Sequence, residues 1–497
     1  MLFRGRTVLA FILVTLIASC IMTVMMIGPK GLLLNIVGEI RENASNSSSA
    51  NEDEPRSEEA KELTNAELSK IDTVYRIINS KFMSEVDRQE ILNGAIQGML
   101  SVLNDPYTTY MDPETTEQFD QNVDAFFTGI GAEVSLDNGK VVVVAPIKGS
   151  PAEKAGIRSK DLILSVNGES LEGLSLSDAV MKIRGPKGTQ AKLEILRADH
   201  ENIMELIVIR DEIDLETVFS ELLEDGIGKI EIRQFSLHTV ESFNEQLADL
   251  EAKGMKGLII DVRNNPGGYL NGVLDILDIL VPEGQVKIQT EYRNNPAVKA
   301  MSQGPGRAYP MTVLINGGSA SASEILAAAI QQSAKGKLIG EKTFGKGTIQ
   351  TQYDGQFTDG SMLKISIGKW LTPNGTWIHE EGIVPDYEVK QPEFFYVSFI
   401  NRDKVWKLSD NNDDIKNTQI MLYGLGYDPG SKDGYFSEQT QAALKLFQQK
   451  IKLSVTGELN VETIEQLERE IIQLMVKPEN DLQLQKAIHI IREQVNN

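Results

Sequence analysis

The alternation of hydrophobic and polar residues divides the chain into parts of different structure. Thr64 with Glu67 forms a helix-capping signal, and apolar residues then recur at helical spacing. From about residue 128 to residue 210 the pattern is that of short strands around one helix. Apolar strands then alternate with helices over residues 228–391, and amphipathic helices follow from residue 415. We therefore predict a multidomain protein, as the length of 497 residues also indicates.

An uncharged, mostly apolar run over residues 7–28 lies near the start of the chain, with Arg4 and Arg6 before it and Lys30 after it. A helix of this length can cross a bilayer, and the arginines place the rest of the chain outside the cytoplasm. We predict a transmembrane anchor over residues 1–30, followed by a flexible, polar linker over residues 31–63. The alternatives are a cleaved signal peptide and a lipoprotein cleaved at Cys20.

Composition excludes several classes of function. The chain carries 49 basic and 71 acidic residues, a net charge of −22, so its surface repels nucleic acid, and we expect no nucleic-acid partner. The single cysteine permits no internal disulfide, and the four histidines are too scattered for a metal cluster. We expect neither a metal nor another cofactor.

Two stretches carry family patterns. The segment GSPAEKAGI at residues 149–157, leading into DLILSVNG at 161–168, resembles a PDZ domain of the bacterial protease type. We place this domain over residues 121–212. The resemblance implies a loop that offers backbone N–H groups to the terminal carboxylate of a peptide, and consecutive N–H groups do form such anion sites. That loop is Gly129, Ile130, Gly131 and Ala132. The alternative is that these glycines only make a tight turn.

The second stretch lies in the helical C-terminal part. Its LGY at residues 425–427, DGYF at 433–436 and Gly457 resemble a peptidoglycan-binding domain, a small three-helix module that we place over residues 406–475. The alternative is a helical dimerisation tail. Residues 476–497 are predicted to form a C-terminal helical tail.

A serine cluster follows the apolar strand that ends at Ile315. Ser321 lies in GSASASE and opens an apolar helix, at a strand-to-helix turn where a hydroxyl is exposed and helix N–H groups can stabilise an oxyanion. Ser321 with Glu324 is also a helix-capping box, which needs no catalysis. The serines alone therefore leave both interpretations open.

Lys346 supplies the base that a serine nucleophile needs. A lysine accepts a proton near neutral pH only if burial or positive potential lowers its pKa. The flanking Gly345 and Gly347 let the backbone pack closely enough to bury the amine. Gln350, four residues on, would share a strand face with Lys346, and its amide oxygen could orient the amine without fixing it as a cation.

Together with DVRNNPGG at residues 261–268, NDPY at 104–107 and GIVPD at 382–386, these residues resemble the carboxy-terminal processing peptidases, also called tail-specific proteases. The resemblance covers residues 65–390. It implies that Ser321 is the nucleophile, Lys346 the general base and Gln350 its positioner. It also implies an oxyanion hole made by the N–H groups of Ala322 and Gly268.

The same resemblance implies how the enzyme is controlled and assembled. The PDZ domain would block or open the protease groove, with Arg184 as a candidate link between the two. The alternative for Arg184 is a solvated surface charge. The helices of residues 64–120 would belong to the protease body or form the contact of a homodimer.

We therefore predict a multidomain α+β fold. It comprises an N-terminal transmembrane helix, a helical N-terminal region, a PDZ β-sandwich or barrel, an α/β crotonase-like protease core (the ClpP/crotonase superfold) over residues 213–400, and a small three-helix C-terminal domain. The predicted function is a Ser-Lys endopeptidase that cleaves proteins near their free C-termini. It would act on the cell-wall side of the bacterial cytoplasmic membrane, held by the membrane helix and by peptidoglycan.

Four other interpretations are weighed against this prediction. A catalytically inactive PDZ and cell-wall scaffold is the main alternative, and a crotonase-like acyl-CoA enzyme, which needs no Ser-Lys pair, is another. A Ser-His-Asp triad lacks a positioned histidine, except for His379. A phosphate-binding loop is excluded because Glu341 stands where its second glycine belongs.

Overall fold

The computed structural model describes residues 62–137, 139–147, 150–197 and 203–496. The predicted anchor and nearly all of the predicted linker lie outside these residues. Among the residues described, no helix is both long and apolar enough to cross a membrane. The predicted transmembrane helix therefore stays a prediction.

The N-terminal region is mainly helical. It consists of α1 (Asn65–Lys81), α2 (Arg88–Ser101), β1 (Thr109–Met111) and α3 (Pro113–Asp124). Thr64 and Glu67 form the predicted reciprocal capping box at the start of α1, and Asp87 caps α2. Neither α1 nor α2 buries any residue, so their apolar faces are open to solvent.

The PDZ domain encloses its own hydrophobic core. Its elements are β2 (Phe126–Gly129), β3 (Ala132–Asp137), β4 (Lys140–Pro146), α4 (Pro151–Lys154), β5 (Leu162–Val166), β6 (Glu169–Ser170), α5 (Leu176–Ile183), β7 (Gln190–Leu196), β8 (Met204–Ile209) and β9 (Asp211–Asp214). The sheet order is β3-β4-β5-β7-β8, with β6 beside β5. Alternate residues of β7 point inward, as a sheet with one buried face requires.

Strands β2 and β9 lie at the two ends of the PDZ domain and pair with each other in antiparallel register from Phe126↔Asp214 to Gly129↔Asp211. We call this two-stranded element the PDZ ribbon. It connects the PDZ domain to the rest of the chain.

The predicted protease core is built on two sheets. Its elements are β10 (Val218–Leu222), β11 (Ile227–Ile232), α6 (Thr239–Ala252), β12 (Gly257–Asp261), α7 (Leu270–Leu280), β13 (Val286–Tyr292), β14 (Val298–Met301), β15 (Met311–Ile315), α8 (Ala322–Gln332), β16 (Lys337–Gly340), β17 (Thr348–Tyr353), β18 (Met362–Leu371) and β19 (Tyr387–Glu388). The main sheet has the order β10-β11-β12-β15-β16-β19 and is parallel except for β10. In the second sheet, β18 pairs with β1, β13 and β17.

The main sheet is covered on both faces, which explains the unbroken apolar runs of β12 and β15. Alternate residues such as Ile260 and Val313 pack against α6, α7 and α8. The residues between them, including Ile259 and Leu314, point to the opposite face.

The last part of the chain holds two separate structures. Helices α9 (Asp413–Gly424), α10 (Glu438–Lys450) and α11 (Val461–Met475) enclose a core of their own, and we call this unit the C-terminal module. Helix α12 (Leu482–Asn496) then returns and covers the open face of the main sheet. The sequence predicts a helical tail here, but its place in the protease core was not foreseen. Single 3-10 turns occur at Glu224–Gly226, Glu393–Tyr396 and Pro478–Asn480.

Candidate active site

Ser321 lies at the turn between β15 and α8, immediately before the helix. Its backbone has φ 61° and ψ −112°, a region that residues other than glycine rarely adopt. Such strain costs of order 1–3 kcal/mol and is concentrated at functional sites. The side chain is completely buried. The turn therefore holds this one serine in a conformation that helix stability does not require.

A second turn, residues 264–268, packs directly against Ser321, and we call it the glycine turn. A Cβ atom on Gly267 would lie 3.0 Å from the Cβ of Ser321 and 3.1 Å from the nitrogen of Ala322. A Cβ atom on Gly268 would lie 2.0 Å from the carbonyl oxygen of Phe235. Only glycine fits at these two positions, and the structure brings the glycine turn together with Ser321 and Ala322.

The N–H of Gly268 is the predicted second donor to an oxyanion. Phe235 N donates to the carbonyl of Gly267 at 2.9 Å, and Tyr269 N donates to the carbonyl of Phe235 at 2.8 Å. Because successive residues of an extended segment direct their N–H groups to opposite sides, this pairing leaves the Gly268 N–H on the side away from Phe235.

Asn265 joins the glycine turn to the turn that carries Ser321. Its Nδ2 donates to the carbonyl of Ile232 at 2.7 Å, and its Oδ1 accepts the N–H of Gly267 at 2.8 Å. Its own carbonyl accepts the N–H of Ala320 at 3.0 Å and the Ser323 hydroxyl at 2.9 Å. Asn265 is fully buried, so these bonds form without competing water. Sequence reasoning quoted this residue only as part of a motif.

Glu324 connects the backbones of Ser321 and Lys346. Its Oε2 accepts the Ser321 N–H at 2.7 Å and the Lys346 N–H at 2.9 Å. Its Oε1 accepts the Thr343 hydroxyl at 2.6 Å and the Gly345 N–H at 2.7 Å. Burial raises the pKa of the Glu324 carboxyl, and its four donors oppose that rise. The capping box identified Glu324 from the sequence, but its bond to the distant Lys346 was missed.

Lys346 is buried, with 3% of its surface exposed. Trp370 Nε1 donates to its carbonyl at 2.7 Å. A Cβ atom on Gly345 would lie 2.9 Å from the nitrogen of Gly382, and one on Gly347 would lie 2.8 Å from a Trp377 ring nitrogen. The two glycines therefore allow the close packing that excludes water from the lysine.

The N-terminal region completes the surroundings of the amine. The Nζ of Lys346 lies 4.7 Å from the centroid of the Tyr107 ring, which is itself buried and packs edge-on against His379. Burial and nearby carboxylates, Glu324 first among them, raise the pKa of the Tyr107 hydroxyl. Tyr107 was part of the NDPY pattern in the sequence, and its place over the amine could not be foreseen.

Gln350 does not make the predicted contact with Lys346 in this structure. Its Nε2 donates to the hydroxyls of Thr348 at 2.9 Å and Ser366 at 3.0 Å, and its buried Oε1 accepts no hydrogen bond from any residue described. Strand β17 begins only at Thr348, and its register against β18 shifts between Ile349 and Gln350. Lys346 therefore lies before the strand, and the alternation of faces on which the prediction depended does not extend to it.

Among the histidines that the structure describes, His379 alone lies near these residues. Its ring stacks on Trp377, with centroids 5.2 Å apart, and its Nδ1 accepts the N–H of Gly347 at 3.3 Å. In a Ser-His-Asp triad, one ring nitrogen would instead donate to a carboxylate. The contacts of His379 thus fit packing against the segment of Gly345, Lys346 and Gly347. Within the described ranges, no three His, Cys, Asp or Glu side chains converge to hold a metal ion.

The loop predicted to bind a peptide carboxylate, residues 129–132, joins β2 to β3. The carbonyl of Ile130 accepts the Ala152 N–H at 2.7 Å, and the carbonyl of Gly131 accepts the Ser150 hydroxyl at 2.8 Å. Gly131 has φ 75°, and a Cβ atom there would lie 2.4 Å from that of Ser150. The carbonyls thus bind inside the domain, while β3 is an edge strand with α5 packed beside it.

Arg184 follows helix α5 and packs against the PDZ ribbon. Its guanidinium carbon is 4.7 Å from the centroid of the Phe127 ring in β2, and the side chain is otherwise exposed. This position is at the connection between the PDZ domain and the protease core.

Known protein families match successive parts of the chain. The model of peptidase family S41 matches residues 226–389, a PDZ domain model matches 142–197, a putative peptidoglycan binding domain matches 411–467, and the activating protease CtpB N-terminal domain matches 25–115. The chain is 45% identical over 425 residues to the carboxy-terminal processing protease CtpB of Bacillus subtilis, covering 85% of this chain and 88% of that protein. The chain belongs to the carboxy-terminal processing protease family.

Other members and structures are similar to this carboxy-terminal processing protease. CtpA of Bacillus subtilis is 40% identical over 432 residues, which cover 86% of this chain and 91% of CtpA. The solved photosystem II D1 C-terminal processing protease aligns at 28% identity and a TM-score of 0.39, over 65% of this chain and 92% of that one. Family membership confirms the predicted serine-type peptidase with a PDZ domain and a peptidoglycan-binding domain. The acyl-CoA enzyme and the scaffold are no longer needed as explanations.

Proposed function

We propose that this protease is an endopeptidase that cleaves proteins near their free C-termini with Ser321 as nucleophile and Lys346 as general base. One observation carries the proposal: the buried carboxyl group of Glu324 binds the backbone N–H of both residues, which are distant in sequence. Both side chains are also buried, so neither is a solvated surface group. A capping box for the helix alone would need no second partner from the segment around Lys346.

The proposed reaction has two steps. The unprotonated amine of Lys346 accepts the Ser321 proton while Oγ attacks the carbonyl carbon of the substrate, because burial disfavours the ammonium form. The N–H groups of Ala322 and Gly268 stabilise the oxyanion. Lys346 then protonates the leaving amine, and an acyl-enzyme remains on Ser321. In the second step the amine accepts a proton from water, and the resulting attack frees the acid and restores the serine hydroxyl.

Gln350 is proposed to orient the amine in the complex with substrate. Its amide oxygen is buried and accepts no bond among the residues described, which is a costly state for a polar atom. A Lys346 N–H would satisfy that oxygen. The hydroxyls of Thr348 and Ser366 already hold the other end of the amide, which fixes the orientation of its oxygen.

The PDZ domain is proposed to bind the substrate C-terminus at residues 129–132 and to control access to the protease, with Arg184 acting at the PDZ ribbon. The helix over residues 7–28 would hold the enzyme in the bacterial cytoplasmic membrane with its catalytic part on the cell-wall side. The C-terminal module would bind peptidoglycan. The exposed apolar faces of α1 and α2, which bury no residue in one chain, would meet in a homodimer. The layered core would be of the crotonase-like type.

The test is mass spectrometry of a protein substrate with a free C-terminus. Ser321→Ala and Lys346→Met should each lower cleavage by at least about 1,000-fold, as removal of a nucleophile or its base does in serine proteases. Two matched controls flank the nucleophile: Ser319 and Ser323 are equally buried, but their hydroxyls donate to the carbonyls of Val262 and Asn265. Their alanine variants should keep cleavage within about tenfold.

Lys369→Met is the control for the lysine, because Lys369 is exposed and stacks on Trp377. It should leave cleavage unchanged. Cleavage by Ser321→Ala at the wild-type rate would refute the assignment. Amidation of the substrate C-terminus tests the PDZ loop separately: an amidated substrate cut as fast as the free acid would argue against carboxylate binding.

A further inference from the structure

The chain leaves the protease core after β19 and returns to it just before α12, and these two places are bonded to each other. Gln391 Nε2 donates to Asp481 Oδ1 at 2.6 Å, and Leu482 N donates to Gln391 Oε1 at 3.0 Å. Gln483 Nε2 donates to the carbonyl of Val389 at 2.8 Å. These bonds join the two ends of the C-terminal module to the core, and we call them the clasp.

Asp481 of this clasp also binds Arg263, the residue before the glycine turn. Arg263 Nη1 and Nη2 donate to the two carboxylate oxygens of Asp481 at 3.0 and 2.8 Å, and the guanidinium also binds Asp261. The side chains of Arg263, Asp261 and Asp481 are only 16%, 8% and 12% exposed. A bidentate pair with so little water around it is geometrically specific.

The two aspartates hold Arg263 differently. Asp261 is two residues away on the same strand end, so this pair belongs to the local structure of the turn. Asp481 comes from the other end of the chain and caps α12 through its bond from Leu484 N at 2.9 Å. Although burial raises the pKa of Asp481, bonds from Arg263 hold that pKa below its usual value, so the carboxylate is charged at neutral pH.

A cleft of about 500 Å³ lies between the glycine turn and the C-terminal module. Arg263 and Asn264 line one side, and Val476 and Pro478 line the other. The Arg263–Asp481 pair joins the two sides. Asn264 N donates to Asn316 Oδ1 at 2.9 Å, so a movement of Arg263 would reach the glycine turn and the strand before Ser321.

We propose that Asp481 is a positioning residue for peptide cleavage, which holds Arg263 and thereby aligns the glycine turn that carries the Gly268 N–H. The proposal rests on the oxyanion role of Gly268 in the proposed function. Without the carboxylate, Arg263 keeps its bonds to Asp261 and to the amide oxygen of Gln483 at 3.0 Å but loses its bidentate partner, and the Gly268 N–H is less well aligned with the developing oxyanion. We expect the loss in kcat and not in KM, because the Asp481 side chain is only 12% exposed and acts through Arg263.

The full chain with Asp481→Asn tests this role, and Asp225→Asn is its matched control. Asp225 binds Arg492 of α12 at 2.7 Å from the opposite, amino edge of the main sheet, and its φ of 63° suits asparagine. Asp481→Asn should lower kcat about tenfold and leave KM within about twofold. Asp481→Glu, which keeps the charge, should recover part of kcat, and Asp225→Asn should change neither constant.

Each other outcome overturns the proposal. A folded Asp481→Asn protein with wild-type kcat removes the positioning role. An equal fall in kcat for Asp225→Asn, or an Asp481→Asn protein that does not fold, makes Asp481 a structural residue only. Ser321→Ala on the same peptide keeps the two proposals apart: if that variant stays active, the proposed function fails whatever Asp481→Asn does.

Discussion

The PDZ domain and the C-terminal module each enclose a hydrophobic core, but they join the protease core in different ways. The PDZ domain is connected by the PDZ ribbon, whose strands pair with each other and with no further strand in the described part of the chain. The C-terminal module is attached through the clasp, and the helix that follows it is a layer of the protease core.

This difference indicates one domain that can move and one that stays in place. A two-stranded ribbon bends at low cost because few buried contacts resist the motion. Moving the other joint would pull Leu484, Ile488 and Ile491 away from the sheet and expose apolar surface. The PDZ ribbon suits a domain that moves, whereas the attachment of the C-terminal module suits a domain that keeps a fixed position.

Removal of α12 should have the largest effect. A chain that ends after Asn480 would uncover a sheet face that includes Ile227, Ile259 and Leu314. The helix buries four large apolar side chains, worth roughly 1.5–3 kcal/mol each, which is comparable with the ~5–15 kcal/mol stability of a whole domain. The truncated protein should lose cooperative thermal unfolding and peptide cleavage, as measured by near-ultraviolet circular dichroism and a peptide assay.

The control for this truncation removes the C-terminal module but keeps α12. Replacement of residues 398–476 by a Gly-Ser linker of about ten residues preserves the clasp between Gln391 and Asp481. This variant should unfold cooperatively and cleave peptide, while its retention on isolated cell wall falls. If the chain truncated after Asn480 stayed folded and active, α12 would not be an essential layer of the core, and the difference between the two connections would be refuted.

Removal of the PDZ domain should have a much smaller effect on the fold. Gly129 and Asp211 are paired at the end of the PDZ ribbon, so an Asn-Gly turn can replace residues 130–210 and close a hairpin. The melting temperature of the protease core should change by less than about 4 °C, as measured by calorimetry. Loss of cooperative unfolding of the core would show that the PDZ domain is as much a part of it as α12.

The smallest effect concerns Asp120 in α3, the helix that precedes the PDZ ribbon. Burial, with the charges of Asp124 and Asp354, raises the pKa of Asp120 in α3 to about 6. The folded state therefore binds a proton that the unfolded state releases near pH 4, and stability falls as the pH rises through 6. Asp120 is half-buried, so the loss should be about 1 kcal/mol. Asp120→Asn should remove it, and parallel urea curves at pH 4 and pH 7.5 would measure the difference. An unchanged difference between the two pH values would contradict the prediction.

Local patterns in the sequence predicted the element types and the neighbourhood of the site. Ser321 stands at a strand-to-helix turn, and Lys346 is buried between glycines as its spacing indicated. Contacts between distant segments could not be predicted, since one sequence carries no distances. The bond from Lys346 N to Glu324 and the place of Tyr107 are examples. Gln350 shows a third limit, because the strand begins only at Thr348 and the alternation of its faces does not extend back to Lys346.

The clasp has a consequence for how such enzymes diversify. Because the chain departs and returns at neighbouring residues, a lineage could acquire, exchange or lose the whole wall-binding unit without disturbing the catalytic sheet. Loss of α12 would instead expose the apolar sheet face that this helix covers. Relatives without the unit should therefore keep an amphipathic helix shortly after the position of Gln391, and the ancestral order of the gene would be core, helix, and only later the insertion between them.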